Sequence, residues 1–548
     1  MPRRSHFPFL GLPLRLLLGA VLAALLVVPL LGTAAQADGS GPADPADPAV
    51  PVDIDDTVSQ ESAEHALATV QDIVASAPAG DPAGSADAGG PAEAADLTLA
   101  LRDLAVARDD LPKDLQDDAA RLLARPSTGN RPPDPGGIEC SPGSGLPCYT
   151  APEAAPECGS ASGLNLCVHY VQGAYDPGHQ TDAPPASYPA YVLHNVMKNV
   201  VQRYAAAGYR LPQGDGANGG VTAFPVSPAN TPNTFDVYLA DLGKRGLYGY
   251  CTTDQRVPGH VTAPAYCVLD NDYAEYGPVP GPVGNLQVTA AHEYFHAVQF
   301  AYDINEDGWF MEATATWAED EVYDGVDDNR QYLKGGPLGR PAQPMDHRKG
   351  IAPYGAWIFF KYLSERFPQV SGGMPVIVRD IWNLAAGEAN ARQALGAALA
   401  GRGTDLRTQF GWFAAANRRP HLNYSEGAYY PRARLWRGVK LTGSRRSVSD
   451  KATLKHLAAR TIRFKSKVHG KAHLRVHVDG PKRKKGGYVL VTIKKKGQAP
   501  ATKLVKINRK GDKTKRYKFG KSVTWVEITF ANAGKKDSTV RVSARVTR

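Results

Sequence analysis

Between Val288 and Tyr302 the chain carries two imidazoles and a carboxylate, His292-Glu293-Tyr294-Phe295-His296, in a largely apolar run without Pro or Gly. Such a run reads as a mostly buried helix, with Asn285 as the candidate cap for its start. Residues four apart project from nearly one face of a helix, so His292 and His296 can aim ring nitrogens at a common point. Burying these groups without partners is costly, so a further polar element must pack against this helix in the core. The competing reading is a buried helix whose histidines only hydrogen-bond to their neighbours.

Two histidines at this spacing suit one zinc ion, and Glu293 beside it suits a general base. From there its carboxylate can take a proton from an ion-activated water while that water attacks a peptide carbonyl. A catalytic zinc site uses three protein ligands, so a third is expected nearby. Downstream, Gly308-Trp309-Phe310-Met311-Glu312-Ala313-Thr314-Ala315-Thr316-Trp317-Ala318-Glu319-Asp320 reads as a second helix, with Glu312 as the third ligand. Glu319 is a rival. It lies two turns further along the same face, where as a non-ligand it can hold the second ring nitrogen of a histidine, or simply stand in solvent.

The His-Glu-Tyr-Phe-His element and the Trp309-to-Trp317 segment resemble the gluzincin clan of thermolysin-like and aminopeptidase N-like zinc peptidases. They are most similar to secreted bacterial metallopeptidases with the same two motifs. The resemblance implies a glutamate ligand from the second helix and a mixed sheet ahead of the zinc helix. It also implies an edge strand that binds extended substrate, and a helical second lobe. Glu312 follows His296 by 16 positions, slightly fewer than in that clan, which is why Glu319 stays a rival. The clan also implies a tyrosine donor to the oxyanion. Tyr354, opening the apolar run after Pro353, is the first candidate, with His347 second and Tyr302 third.

Asp303-Ile304-Asn305-Glu306-Asp307-Gly308 matches the first half of a calcium loop through Asp303, Asn305 and Asp307. The twelfth position is Thr314 where a bidentate Glu is needed. An EF-hand is therefore excluded, leaving an isolated structural Ca2+ or an ordinary acidic turn.

Arg3 and Arg4, an apolar run from Leu16 to Leu31 interrupted by Pro29, and Ala35-Gln36-Ala37 read as a secretory signal peptide over 1–37. The mature chain is then secreted, extracellular or envelope-associated, with no other apolar segment long enough to span a bilayer. Cysteines 140, 148, 158, 167, 251 and 267 form an even, clustered set that reads as disulfides, neighbour pairing being the simplest of fifteen arrangements. Residues 38–135 form an Ala/Asp/Pro-rich segment with helical stretches at 59–76 and 95–125. Comparable stretches in secreted peptidases serve as propeptides, and the alternative is a linker.

The fold expected is therefore multidomain, with an α+β peptidase domain of gluzincin type over 136–425. Strands are read at 168–171, 235–239 and 265–269, with a helix at 190–207 and 263–269 as the substrate edge. Helices near 352–367, 375–386, 390–400 and 405–417 make the second lobe. An all-β sandwich over 426–548 follows, with period-two alternation at 474–478, 488–493 and 523–529.

Charge divides the chain. Residues 431–548 hold 35 Lys and Arg against 5 Asp and Glu, a net of +30, whereas the other 430 residues carry 28 against 49, a net of −21. Besides a protein or peptide substrate, the partners expected are anionic cell-envelope polymers held by this basic domain, ahead of nucleic acid. Lysines that blunt strand edges are the alternative. Against a peptidase stand two further readings: a catalytically inactive relative, and an envelope adhesion protein working through its basic domain.

Overall fold

The computed structural model describes residues 60–76, 91–127, 139–175, 181–215 and 234–548, apart from 256, 258, 260, 388 and 469. The signal peptide expected over 1–37, and the early part of the segment after it, lie outside the described residues. α1 (Gln60–Ser76), α2 (Pro91–Ala107) and α3 (Lys113–Leu123) precede a five-stranded sheet. Its strands are β1 (Glu157–Ala161), β2 (Leu164–His169), β3 (Thr234–Ala240), β4 (Gly249–Thr252) and β5 (Tyr266–Asp270), in the order β1-β2-β3-β5-β4. β2, β3 and β5 run parallel, while β1 and β4 pair antiparallel at the two ends. The disulfides are Cys140–Cys148, Cys158–Cys167 and Cys251–Cys267, the simplest pairing, and the last two staple opposed residues of β1/β2 and β4/β5.

The expected edge strand is misplaced. β5 is flanked on both sides, by β3 and β4, and the end strands are β1 and β4. All five residues of β5 are buried, as are all four of β4, because both faces of the sheet are covered there. One face is covered by α4 (Tyr188–Tyr191) and α5 (Lys198–Ala207), joined by a π turn, and by α6 (Gly281–Phe300). α1–α3 cover the other, where Leu97, Leu101 and Leu104 meet Tyr238, Tyr250, Tyr266 and Val268. These leucines repeat at the spacing of one helical face. α1–α3 thus complete the core of the sheet.

At the end of α3, Arg125 enters that core and meets three carboxylates. Its Nε lies 2.6 Å from Asp254 and its Nη1 2.7 Å from Asp236, while Nη2 pairs with Asp215. Arg125, Asp215 and Asp236 are each 1% exposed at the side chain.

α6 starts at Gly281, earlier than a cap at Asn285 requires. Pro282 sits in its first turn, where a missing N–H costs nothing, and Asn285 is buried with its amide donating to the Tyr276 carbonyl. After a loop comes α7 (Gly308–Val322), packed along α6. The second lobe follows as α8 (Ala352–Gly355), α9 (Trp357–Arg366), a hairpin of β6 (Val370–Ser371) and β7 (Met374–Pro375), α10 (Val376–Ala385), α11 (Ala391–Ala400) and α12 (Leu406–Ala416). Trp317, Trp357 and Trp382 are fully buried in it. Asn390 and Asp405 cap α11 and α12 through side-chain oxygens.

The basic region is a two-sheet β structure. One sheet has the order β13 (Ala501–Leu504), β12 (Gly487–Lys495), β15 (Val523–Asn532), β10 (Ala458–Lys467), β8 (Arg437–Thr442). The other has β14 (Asp512–Lys518), β11 (His473–Asp479), β16 (Ser538–Thr547), β9 (Ser447–Leu454). α12 packs on β12 and β15. There Glu527, fully buried, receives Arg419 at 2.6 Å, Arg463 at 2.6 Å and Arg418 at 3.2 Å. Burial alone would raise its pKa, but the three guanidinium groups hold it below the ordinary carboxylate range. This cluster ties the helical lobe to the sandwich. Among the described residues, no helix is long and apolar enough to cross a membrane.

Candidate metal centre

α6 and α7 bring the two motifs face to face. The ligand atoms of His292, His296 and Glu312 lie within 4.8 Å of one another, and all three residues are buried. His292 Nε2 stands 3.1 Å from Glu312 Oε2, and His296 Nε2 stands 3.5 Å from Glu312 Oε1. Glu319 takes the other role foreseen for it. Its Oε1 lies 2.6 Å from His292 Nδ1, on the far side of the ring.

Hydrogen bonding assigns the His296 tautomer. Gln299 donates its amide to the Met311 carbonyl (2.9 Å) and to Thr314 Oγ1 (3.1 Å), so its Oε1 faces His296 Nδ1 at 2.8 Å. That oxygen can only accept, so Nδ1 carries the proton and Nε2 offers a lone pair toward Glu312. Glu319 takes the Nδ1 of His292 and leaves its Nε2 facing Glu312. His296 Nε2 and Glu312 Oε1 are buried and make no hydrogen bond, although they face each other. Two imidazole nitrogens, one carboxylate and buried lone pairs without donors fit a divalent cation with zinc-type ligands.

The titration behaviour follows from burial and these contacts. Burial lowers His292, but hydrogen bonds to Glu312 and Glu319 outweigh it and raise the ring well above its usual value. His296, with only an amide on its far side, is pushed down to about 4 by burial. Glu312 is fully buried, yet His296 and the bond from His292 hold it low. Burial pushes Glu293 and Glu319 each up to about 7.

Tyr354, at the start of the second lobe, reaches this point. Its ring stacks on His292 with centroids 5.7 Å apart, and its hydroxyl hydrogen-bonds Glu312. The other two tyrosine-role candidates do not. Tyr302 accepts the Arg210 N–H at 3.1 Å under the Arg210 guanidinium, and His347 has no contact with the three ligands among the described residues. In the loop between the helices, Asp303 accepts the Asn305 N–H and Asp307 pairs with Arg348 at 3.0 Å, so these oxygens serve the turn.

Several site residues escaped the sequence reading. Tyr248, Gly249, Asp328 and Tyr332 line an opening onto His292 and Glu293. Gln299 was within reach of a sequence argument, since it follows His296 by three positions on one helix face. Thr98 was not. Its hydroxyl lies 3.1 Å from Glu293 Oε2 and accepts the Cys251 N–H on β4 at 3.1 Å, so α2 engages both the carboxylate and an end strand of the sheet. Arg102, one turn on, donates to the carbonyls of Ile304 and Glu306 at 2.7 and 3.0 Å.

No protein-family model and no curated protein matches the chain. Among solved structures, a periplasmic inhibitor of g-type lysozyme from Escherichia coli is similar at 10% identity over 20% of this chain and 96% of that one, with a TM-score of 0.15. The pre-peptidase C-terminal domain of a collagenase from Bacillus anthracis is similar at 12% identity over 20% and 94%, with a TM-score of 0.14. Likenesses this faint leave fold and function to be argued from the chain's own residues.

Proposed function

We propose that this protein is a secreted zinc-dependent peptidase of gluzincin type, with His292, His296 and Glu312 as ligands. One observation carries the reading: three buried ligand atoms converge, with both imidazole Nε2 atoms turned inward by the contacts of Glu319 and Gln299. Zinc bound there supplies a Lewis acid that polarises a peptide carbonyl and activates water at neutral pH. Glu293 accepts the proton of the attacking water and returns it to the leaving amine. The Tyr354 hydroxyl donates to the oxygen on which negative charge develops. The main chain of β4, at the end of the sheet and covered by α2 here, takes an extended substrate as an added strand once uncovered.

In this reading the arrangement described is a closed one. A substrate strand on β4 needs the Cys251 N–H, which Thr98 holds, and the same hydroxyl occupies one of the two Glu293 oxygens. α2 must therefore give way. Release of the whole segment would carry Arg125 away from three buried carboxylates, so we infer that α2 regulates in place and is not cut off and lost.

The test is metal analysis of the purified chain with casein hydrolysis. One tightly held zinc per chain is expected, with hydrolysis abolished by chelation and restored by zinc. A chain that binds no zinc overturns the proposal. Thr98→Val keeps the shape but strips Cys251 N–H and Glu293 of their partner while α2 stays docked, a cost of about 1–3 kcal/mol. Hydrolysis is expected to rise by about tenfold, the equivalent of about 1.4 kcal/mol in favour of the open form. Unchanged or lower turnover at full zinc content would refute the gating role of α2.

A further inference from the structure

The sheet β14-β11-β16-β9 turns one face inward, through Leu474, Val476, Val478, Val542, Ala544 and Val546, and the other to solvent. On the solvent face the register sets Arg475 of β11 directly opposite Arg516 of β14 on one side and Arg545 of β16 on the other. All three are exposed. Neighbouring strands lie about 4.8 Å apart, so the three guanidinium groups stand in one row across the sheet. Arg475 and Arg545 have no hydrogen-bond or ion-pair partner among the described residues, and Arg516 reaches only Thr547 Oγ1 and the Arg548 carbonyl. The acid nearest along β11, Asp479, is taken by Arg541 at 2.8 Å.

Like charges directly opposite one another destabilise a sheet. Guarding an edge does not account for them. β14 is an edge, and its Lys513 and Lys515 stand opposite inward-facing Val478 and Val476, a device that blocks strand addition. β11 and β16 are interior strands with no edge to guard. Solubility needs scattered charge, not a row. Along β11 and β14 the row is flanked by Lys518, His473, His477 and Thr514, and along β16 by Ser543 and Thr547, all donors to anionic oxygens.

We propose that this face docks a linear phosphodiester polymer of the cell envelope, its successive phosphates paired with Arg516, Arg475 and Arg545. Guanidinium forks match phosphate oxygens two at a time. Nucleic acid is the less suitable polyanion. No Phe, Tyr or Trp stands on the outward positions of β11, β14, β16 or β9 to stack bases, and a disulfide-bonded chain belongs to an oxidising compartment. The proposal is independent of the peptidase reading, since the metal centre takes no part in it.

The test measures affinity of the full chain for poly(glycerol phosphate) across a salt series. The wild type is compared with Arg475→Gln/Arg516→Gln/Arg545→Gln and with Lys495→Gln/Lys510→Gln/Lys535→Gln, which removes the same charge elsewhere on the sandwich. The arginine variant is expected to bind at least about tenfold more weakly at about 0.1 M salt and to lose about 2 from the slope of log affinity against log salt. The lysine variant is expected to stay within about threefold of wild type. Equal loss in both variants would mean a diffuse field and no site. Tighter binding of duplex DNA, lost through the same arginines, would reassign the face to nucleic acid. Thermal unfolding separates a folding defect: relieved repulsion leaves Tm unchanged or higher, and a clear drop overturns the proposal.

Discussion

Glu293→Gln is expected to keep its zinc and to lose casein hydrolysis by about a thousandfold, within the range typical of a lost general base. The substitution leaves His292, His296 and Glu312 untouched, along with the Glu319 and Gln299 contacts that orient both rings. The amide fills the same volume and can still accept from Thr98, so fold and metal content serve as internal controls. What it cannot do is take a proton from water. Activity within about threefold of wild type would remove Glu293 from the mechanism, since a base contributes far more than that. Loss of zinc would instead place Glu293 among the groups that hold the ion.

The second large effect is on stability. Arg125→Leu is expected to lower unfolding free energy by about 3–5 kcal/mol, because breaking a buried ion cluster strands its remaining charges. Three carboxylates, from Asp215, Asp236 and Asp254, would lose the same guanidinium at once. Urea unfolding of the two chains at neutral pH measures the difference. The effect also has a sign in pH. Burial already pushes Asp215 up to about 6 with Arg125 beside it, and removing the cation moves it higher. A carboxyl with a raised native pKa weakens the fold once pH exceeds its unfolded value of about 3.9, and the penalty is complete above the native pKa. The deficit of the variant should therefore narrow as pH is lowered from about 8 toward 5. A constant deficit, or one under about 1 kcal/mol, would mean that solvent or relaxation already screens this cluster.

The same cluster anchors the end of the three helices that precede the sheet. Composition points to a weakly folded segment only up to about residue 95, with helices read at 59–76 and 95–125, and α1–α3 supply the second face of the sheet core just ahead of Arg125. Tyr238, Tyr250 and Tyr266 share that core with Leu146, Tyr149, Leu242 and Leu247 as well as with the helices. The apolar spacing of Leu97, Leu101 and Leu104 was visible in the sequence, whereas the surface they cover was not.

Local periodicity alone determined the two helices that meet at the candidate site. His292 and His296 share a face because they are four apart, Glu312 follows on the next helix, and alternation in β11 reveals a sandwich strand, whereas β12 and β15 are buried almost throughout under α12. The charge split was equally legible, being a matter of counting. Tertiary structure decided the rest. It chose Glu312 over Glu319 as the convergent oxygen, and made β4 an end strand. It also set Thr98 against Glu293 and lined Arg475 up with Arg516 and Arg545. These are contacts between residues from 20 to 195 positions apart, such as His292 with Glu312 and Thr98 with Glu293. Nothing in the local sequence encodes them, because chain topology and strand register alone determine which distant side chains meet.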